Sequence, residues 1–198
     1  MWAIGNGQSR IGIDVDRLPG PKAGCNAIFR DYKVDYLVCV DKRMMNEAIE
    51  AGANQYALLY TRPDWYKRYQ DIKRTRLVPD LPEQGYERPD DPFHWGSGPY
   101  AVLIAAMHGH EREVNLIGFD LYSKTKTVNN VYKGTQNYDD PSKRPVDPRY
   151  WIYQIGKVFD WYPKTTFTIY QEEGWELPKA WNKTNVKVDN ISNIYYNT

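Results

Sequence analysis

The stretch Asp35-Tyr-Leu-Val-Cys-Val40 is a near-continuous apolar run with branched side chains. A run of that kind offers no polar face to water, so it reads as a strand buried on both sides. Directly after it, Met44, Met45, Ala48 and Ile49 fall at helical spacing over Lys42–Ala51, and Gly52 supplies a stop. A strand followed at once by a helix in this way implies a mostly parallel sheet.

The same alternation runs on either side. Trp2–Ile4, Gly24–Phe29, Tyr56–Tyr60, Glu113–Gly118 and Thr165–Tyr170 read as further strands. A short helix capped by Asp64, a helix over Gly98–His108 with Ser97 as N-cap and Pro99 in its first turn, and a helix over Pro148–Tyr162 complete the pattern. Two polar, irregular excursions interrupt it, at about 78–95 and 123–147, the second with the character of a mobile lid. The expected architecture is α/β and Rossmann-like: one domain over 1–198, a mostly parallel sheet with helices on both faces, and right-handed crossovers. Ligands of such sheets bind beyond the carboxyl ends of the strands. Gly5-Asn6-Gly7 and Asp120 both fall at such ends.

Charge excludes some functions. Lys and Arg number 26 against 25 Asp and Glu, a net charge of +1, which supplies no broad field for nucleic acid or a membrane. The local runs Lys67-Arg68 and Lys73-Arg74-Thr75-Arg76 read as solvated faces. No apolar stretch reaches the ~20 residues of a membrane span, and the start lacks the plan of a signal peptide. Cys25 and Cys39 make neither a disulfide framework nor a metal cluster. A cytoplasmic protein is expected, without nucleic acid as partner. Tyr and Trp, at 17 and 7 residues, suit sugar or base stacking and equally suit cores or the interface of a homo-oligomer.

Several constellations could carry chemistry. Glycines at 5 and 7 permit a sharp turn that brings backbone amides to a ligand as an anion nest, with Asn6 offering a donor and an acceptor. The third glycine of a dinucleotide pattern is replaced by Arg10, and no Walker pattern is present. Ser97-Gly98 opens the most apolar helix, whose free N–H groups favour phosphate or carboxylate. Asp14-Val15-Asp16 mimics a metal-holding Asp-x-Asp but reads as a solvated loop, and His108-Gly109-His110 reads as a helix end with two exposed histidines. No metal site is expected, and no Gly-x-Ser-x-Gly elbow supports a hydrolase.

Taken in order, GNGQS at the start, Cys25-Asn26, SGPYAVLIAAMHGHEREVNLIGFDLY from Ser97 to Tyr122, and the Tyr132 region resemble the bacterial sialyltransferases that decorate lipooligosaccharide. A more distant likeness is to the pterin diphosphokinase-like family. The first resemblance implies a CMP-sialic-acid-like donor and a glycan or small-molecule acceptor, with no metal and no cofactor beyond the nucleotide-sugar itself. It places Gly5, Asn6, Gly7, Ser9, Asn26, Ser97 and Gly98 at the donor, with Asp120 beside them. It assigns Tyr122 and Tyr132 to the departing phosphate, where a phenol donates to developing charge.

The chain also departs from that family. Val40 or Asp41 stands at a second donor-binding Asn, and a different residue, near His94, replaces an Arg. The stretch Arg144–Arg149, where the family has its histidine base, holds none. Asp147 or His94 are the substitutes, since a base must reach the proton it removes. The expectation is a glycosyltransferase. Mg-dependent diphosphoryl transfer to a small heterocycle, with Asp41 and Asp120 at the site, and a non-catalytic nucleotide- or glycan-binding module are the alternatives.

Overall fold

The structure, a computed structural model, describes residues 1–81, 95–110 and 112–195. Most of the first excursion, and His94 with it, lies outside the described residues. The core is one eight-stranded sheet in the order β5-β4-β3-β2-β1-β6-β7-β8, every neighbouring pair parallel. The strands are β1 (Trp2–Ile4), β2 (Lys22–Cys25), β3 (Tyr36–Val38), β4 (Leu58–Thr61), β5 (Thr75–Leu77), β6 (Glu113–Ile117), β7 (Thr166–Gln171) and β8 (Val186–Asn190). Four α-helices occur among the described residues: α1 (Lys42–Glu50), α2 (Pro63–Tyr69), α3 (Ser97–His108) and α4 (Arg149–Trp161).

Strand order reverses between β1 and β6, and the crossovers change sides with it. Connections up to β5 bury Val15, Ile28, Met44, Met45 and Tyr69 against one face of the sheet. After β5 the chain crosses to the other face, where α3 and α4 bury Ala101, Leu103, Ile155 and Phe159 with Ala3, Leu116 and Phe167. The Rossmann-like α/β architecture is therefore present. The first two crossovers are reduced to short 3-10 turns, at Gln8–Arg10, Val15–Arg17 and Asn26–Arg30.

The helices follow the expected logic with altered boundaries. α1 keeps one buried stripe of Met44, Met45 and Ala48, and the Asp41 carboxylate caps it by accepting from Arg43 N. α3 is buried on all sides from Pro99 to Ala106, as a helix between a sheet and a second helix must be. Its N-cap is Gly96, not Ser97, because the Ser97 hydroxyl instead accepts from Val40 N at 3.1 Å and ties the helix to the end of β3. Likewise α2 starts one residue before Asp64, with Pro63 in its first turn.

Strand β2 stops at Cys25, not Phe29, because Asn26 takes a left-handed φ of 50°. Both edge strands, β5 and β8, escaped the sequence reading. Each is half-exposed and polar, so neither carries an apolar run.

The closest backbone approach lies at the switch point. Gly5 N donates to Ile117 O and Gly7 N to Gly118 O, each at 2.8 Å. A Cβ on Gly5 would stand 2.3 Å from the Gly118 carbonyl oxygen, and one on Gly7 2.4 Å from Asp120 Oδ1. We expect Gly5→Ala to cost at least about 2–3 kcal/mol, as overpacking against unyielding backbone does. Gly12→Ala, at φ 86° with nothing within 4 Å, should cost about 1 kcal/mol from backbone strain alone. Urea unfolding of the two variants checks the difference.

Candidate functional site

A cavity of about 390 Å³ opens beyond the carboxyl ends of the central strands. Four strand ends form its floor: Gly5, Asn6 and Gly7 after β1, Cys25 and Asn26 after β2, Val40 and Asp41 after β3, and Gly118 to Leu121 after β6. The first turn of α3 (Gly96 to Pro99) and the face of α4 with Trp151 and Ile155 form one wall. Val128, Asn129, Asn130, Tyr138, Asp139, Pro145 and Val146, all from the irregular 123–147 segment, form the other.

The sequence-selected residues divide into two groups. Gly5, Asn6, Gly7, Asn26, Ser97, Gly98 and Asp120 come together around this one space. Ser9 stands behind it: its amide donates to Asp120 Oδ2 at 2.8 Å and its hydroxyl is hydrogen-bonded to Asp120 Oδ1. Tyr122, Tyr132 and Asp147 do not line the cavity. Tyr122 is 41% exposed on the surface, and Asp147 is paired with Arg149 at 2.6 Å. Tyr132 is buried beneath the site, accepting from Arg10 Nη2 at 3.1 Å and donating to Asp31 Oδ2 at 2.6 Å.

The glycine turn does not form the expected anion nest. Its amides at Gly5, Gly7, Gln8 and Ser9 already donate to Ile117 O, Gly118 O, Asn129 Oδ1 and Asp120. The Asn6 side chain donates from Nδ2 to Cys25 O at 2.9 Å, binding β1 to β2. Both glycines serve the close contact between strands, and the turn is a structural joint with one side facing the cavity.

Donors for an anion are instead concentrated at α3. Pro99 has no N–H, and Tyr100 N bonds back to Gly96 O at 3.1 Å. The Ser97 and Gly98 amides belong to the first turn, where N–H groups lack intrahelical acceptors and the helix dipole is positive. Asn26 Oδ1 is buried without a hydrogen-bond partner, an arrangement that costs free energy until something donates to it.

The carboxylates that line the cavity among the described residues are Asp41, Asp120 and Asp139, with no Lys, Arg or His. Those residues include no group of three or more side chains able to hold a metal ion. Burial pushes the Cys25 thiol up to about 12, so it stays protonated and is no nucleophile. Burial also raises Tyr138 well above the ordinary phenol range, which keeps it a hydrogen-bond donor. Asp14-x-Asp16 lies in a capped 3-10 turn that does not line the cavity. His108 is half-buried, stacked on Tyr36 at 4.3 Å, and shifted down by that burial and by His110.

Sequence reasoning missed Trp151, Tyr138 and the two asparagines 129 and 130. Trp151 sat within a correctly read helix, with no signal to distinguish it from core. The 123–147 segment lacks regular structure over 128–139, yet that part is a strap rather than a mobile lid. Val131 N donates to Asn6 O and Gln8 N to Asn129 Oδ1, both at 2.8 Å. Arg30 bonds Thr135 Oγ1 at 2.7 Å and Gln136 O at 2.8 Å while Glu47 holds it at 2.6 Å. Asn137 closes the clip on the other Glu47 oxygen at 2.7 Å.

The Arg30 hydrogen bond is the main cause that holds the Glu47 carboxyl below its ordinary value of 4.5. A depressed folded value means that this contribution to stability is complete above about pH 4.5 and is lost as pH falls through the folded value. Glu47→Gln should therefore flatten the acid limb of the stability profile. Arg30→Met should cost about 1–2 kcal/mol and speed amide exchange across residues 131–138. Denaturant titration against pH, with exchange mass spectrometry, checks both.

No protein-family model, curated protein or solved structure matches this chain.

Proposed function

We propose that the chain is a nucleotide-binding glycosyltransferase of the sialyltransferase type, taking a CMP-linked, sialic-acid-like donor in the switch-point cavity. The observation that carries this reading is the meeting of the α3 N-terminus with four strand ends around one space of about 390 Å³. That volume falls in the range of small-ligand sites, and the position is where open parallel sheets bind nucleotides.

In this reading the Ser97 and Gly98 amides receive the donor phosphate. Hydrogen-bond donors take the place of cations there, consistent with a lining that has no Lys or Arg among the described residues. Asn26 supplies a polar contact to base or ribose, and the Trp151 indole offers a face for stacking. Tyr138, a protonated phenol in the cavity wall, takes the role that the family resemblance gives to a tyrosine beside the leaving phosphate. It can stabilise charge as the glycosidic C–O bond breaks, and the sugar passes to an acceptor hydroxyl whose proton goes to a lining carboxylate, Asp41, Asp120 or Asp139.

A second reading is favoured by one specific observation, the presence of Asp41 and Asp120 in the same cavity. Two carboxylates suit a nucleotide that arrives with Mg²⁺, as diphosphoryl transfer to a small heterocycle would require.

Calorimetry with CMP, CDP, UDP and GDP, and with ATP in the presence and absence of Mg²⁺, separates the two. CMP is expected to bind in the micromolar range without metal. Asn26→Gly preserves the left-handed backbone and removes the side chain, so it should weaken binding about tenfold with little loss of stability. Failure of all four of the first nucleotides to bind overturns the leading reading, and Mg-dependent ATP binding alone establishes the second.

A further inference from the structure

The edge of the sheet at β5 carries a concentration of charge that the cavity does not use. Residues 67–76 hold five cations, Lys67, Arg68, Lys73, Arg74 and Arg76, and one carboxylate, Asp71, in a chain whose net charge is +1. The rest of the chain is therefore net negative, and this segment carries a local excess of positive charge.

All five cations are exposed, and among the described residues none forms an ion pair. Arg74 and Arg76 each donate to a backbone carbonyl, of Tyr56 at 2.7 Å and of Thr75 at 2.8 Å, which fixes their stems at the edge. Beside them Leu77 is 42% exposed at the end of the strand.

We propose that this edge docks the protein on an anionic lipid surface. Five exposed cations within ten residues at the sheet edge, with an exposed apolar side chain beside them, match a sheet of phosphate headgroups over hydrocarbon. A nucleic acid is the poorer match because two of the neighbouring aromatic rings, Trp65 and Tyr69, are closed to a base. Trp65 has Lys42 and Arg62 over its ring, each at 5.7 Å, and Tyr69 is buried at 3% exposure. No free ring among these two is left for base stacking.

The test is co-sedimentation of the full chain with phosphatidylcholine vesicles, pure or containing about one-third phosphatidylglycerol, at low and high salt. Binding is expected with the anionic vesicles alone, and high salt should abolish it. The triple variant Lys67→Gln, Arg68→Gln, Lys73→Gln leaves the two carbonyl-bound arginines intact. It should lower the partition coefficient about a hundredfold, at roughly fivefold per cation. A control with Lys126, Lys179 and Lys187 changed to Gln, the same charge loss elsewhere, should change it little, and thermal melting of both variants verifies folding. The proposal is overturned by absent binding to anionic vesicles, by equal losses in the two variants, or by tighter binding to a single- or double-stranded oligonucleotide of equal charge concentration.

Discussion

The architecture depends on one contact, the backbone of β1 against the backbone of β6 just past their ends. Side chains are absent there by necessity: the Gly5 and Gly118 peptides approach so closely that a methyl group at Gly5 would overlap the carbonyl opposite. Because the strand order reverses at this pair, the turns after β1 pack on one face of the sheet, while α3 and α4, on either side of β6 in the chain, pack on the other. The hollow between them is a direct product of that divergence. Asp120 then closes the joint from one side by accepting from Ser9, so a buried carboxylate serves the scaffold of the site as well as its lining.

Around this joint, polar groups are divided between holding and receiving. Asn6 Nδ2, Gly7 N and Ser9 N hold: they donate to Cys25, Gly118 and Asp120. The start of α3 and the unpaired Asn26 oxygen receive. Arg10 shows the division most clearly. Its guanidinium is buried, donating to Gly5 O at 3.1 Å and to the Tyr132 hydroxyl, and it faces Tyr32 and Tyr132 rings. Where a dinucleotide-binding turn would have a third glycine, this chain has an internal brace.

Much of the sheet was legible because β1, β3 and β6 are buried on both faces, and burial leaves an uninterrupted apolar run in the sequence. The edge strands β5 and β8 were not, since solvent on one side removes that signature; Lys73 to Arg76 looked like a charged surface and is in part a strand. Helix ends moved wherever a tertiary bond outcompeted local capping, as when Ser97 turned to Val40. The floor of the site was legible through glycine, Asn26 and Ser97, which sit at strand and helix ends. The far wall was not, because Tyr138 and Asn129 reach the cavity through long-range bonds to Ala27 and Gln8, and no periodicity encodes such bonds.

The strap is fastened mainly by side chains, with one backbone bond from Val131 N to Asn6 O, and by no ladder or helix. Its backbone needs no particular length or register so long as Asn129, Tyr132, Thr135 and Asn137 meet their anchors. One wall of the cavity can therefore be rewritten by insertion or exchange without disturbing any strand pairing. The sheet is the fixed chassis, and the shape of the hollow beside it is set by a dozen residues that belong to neither layer.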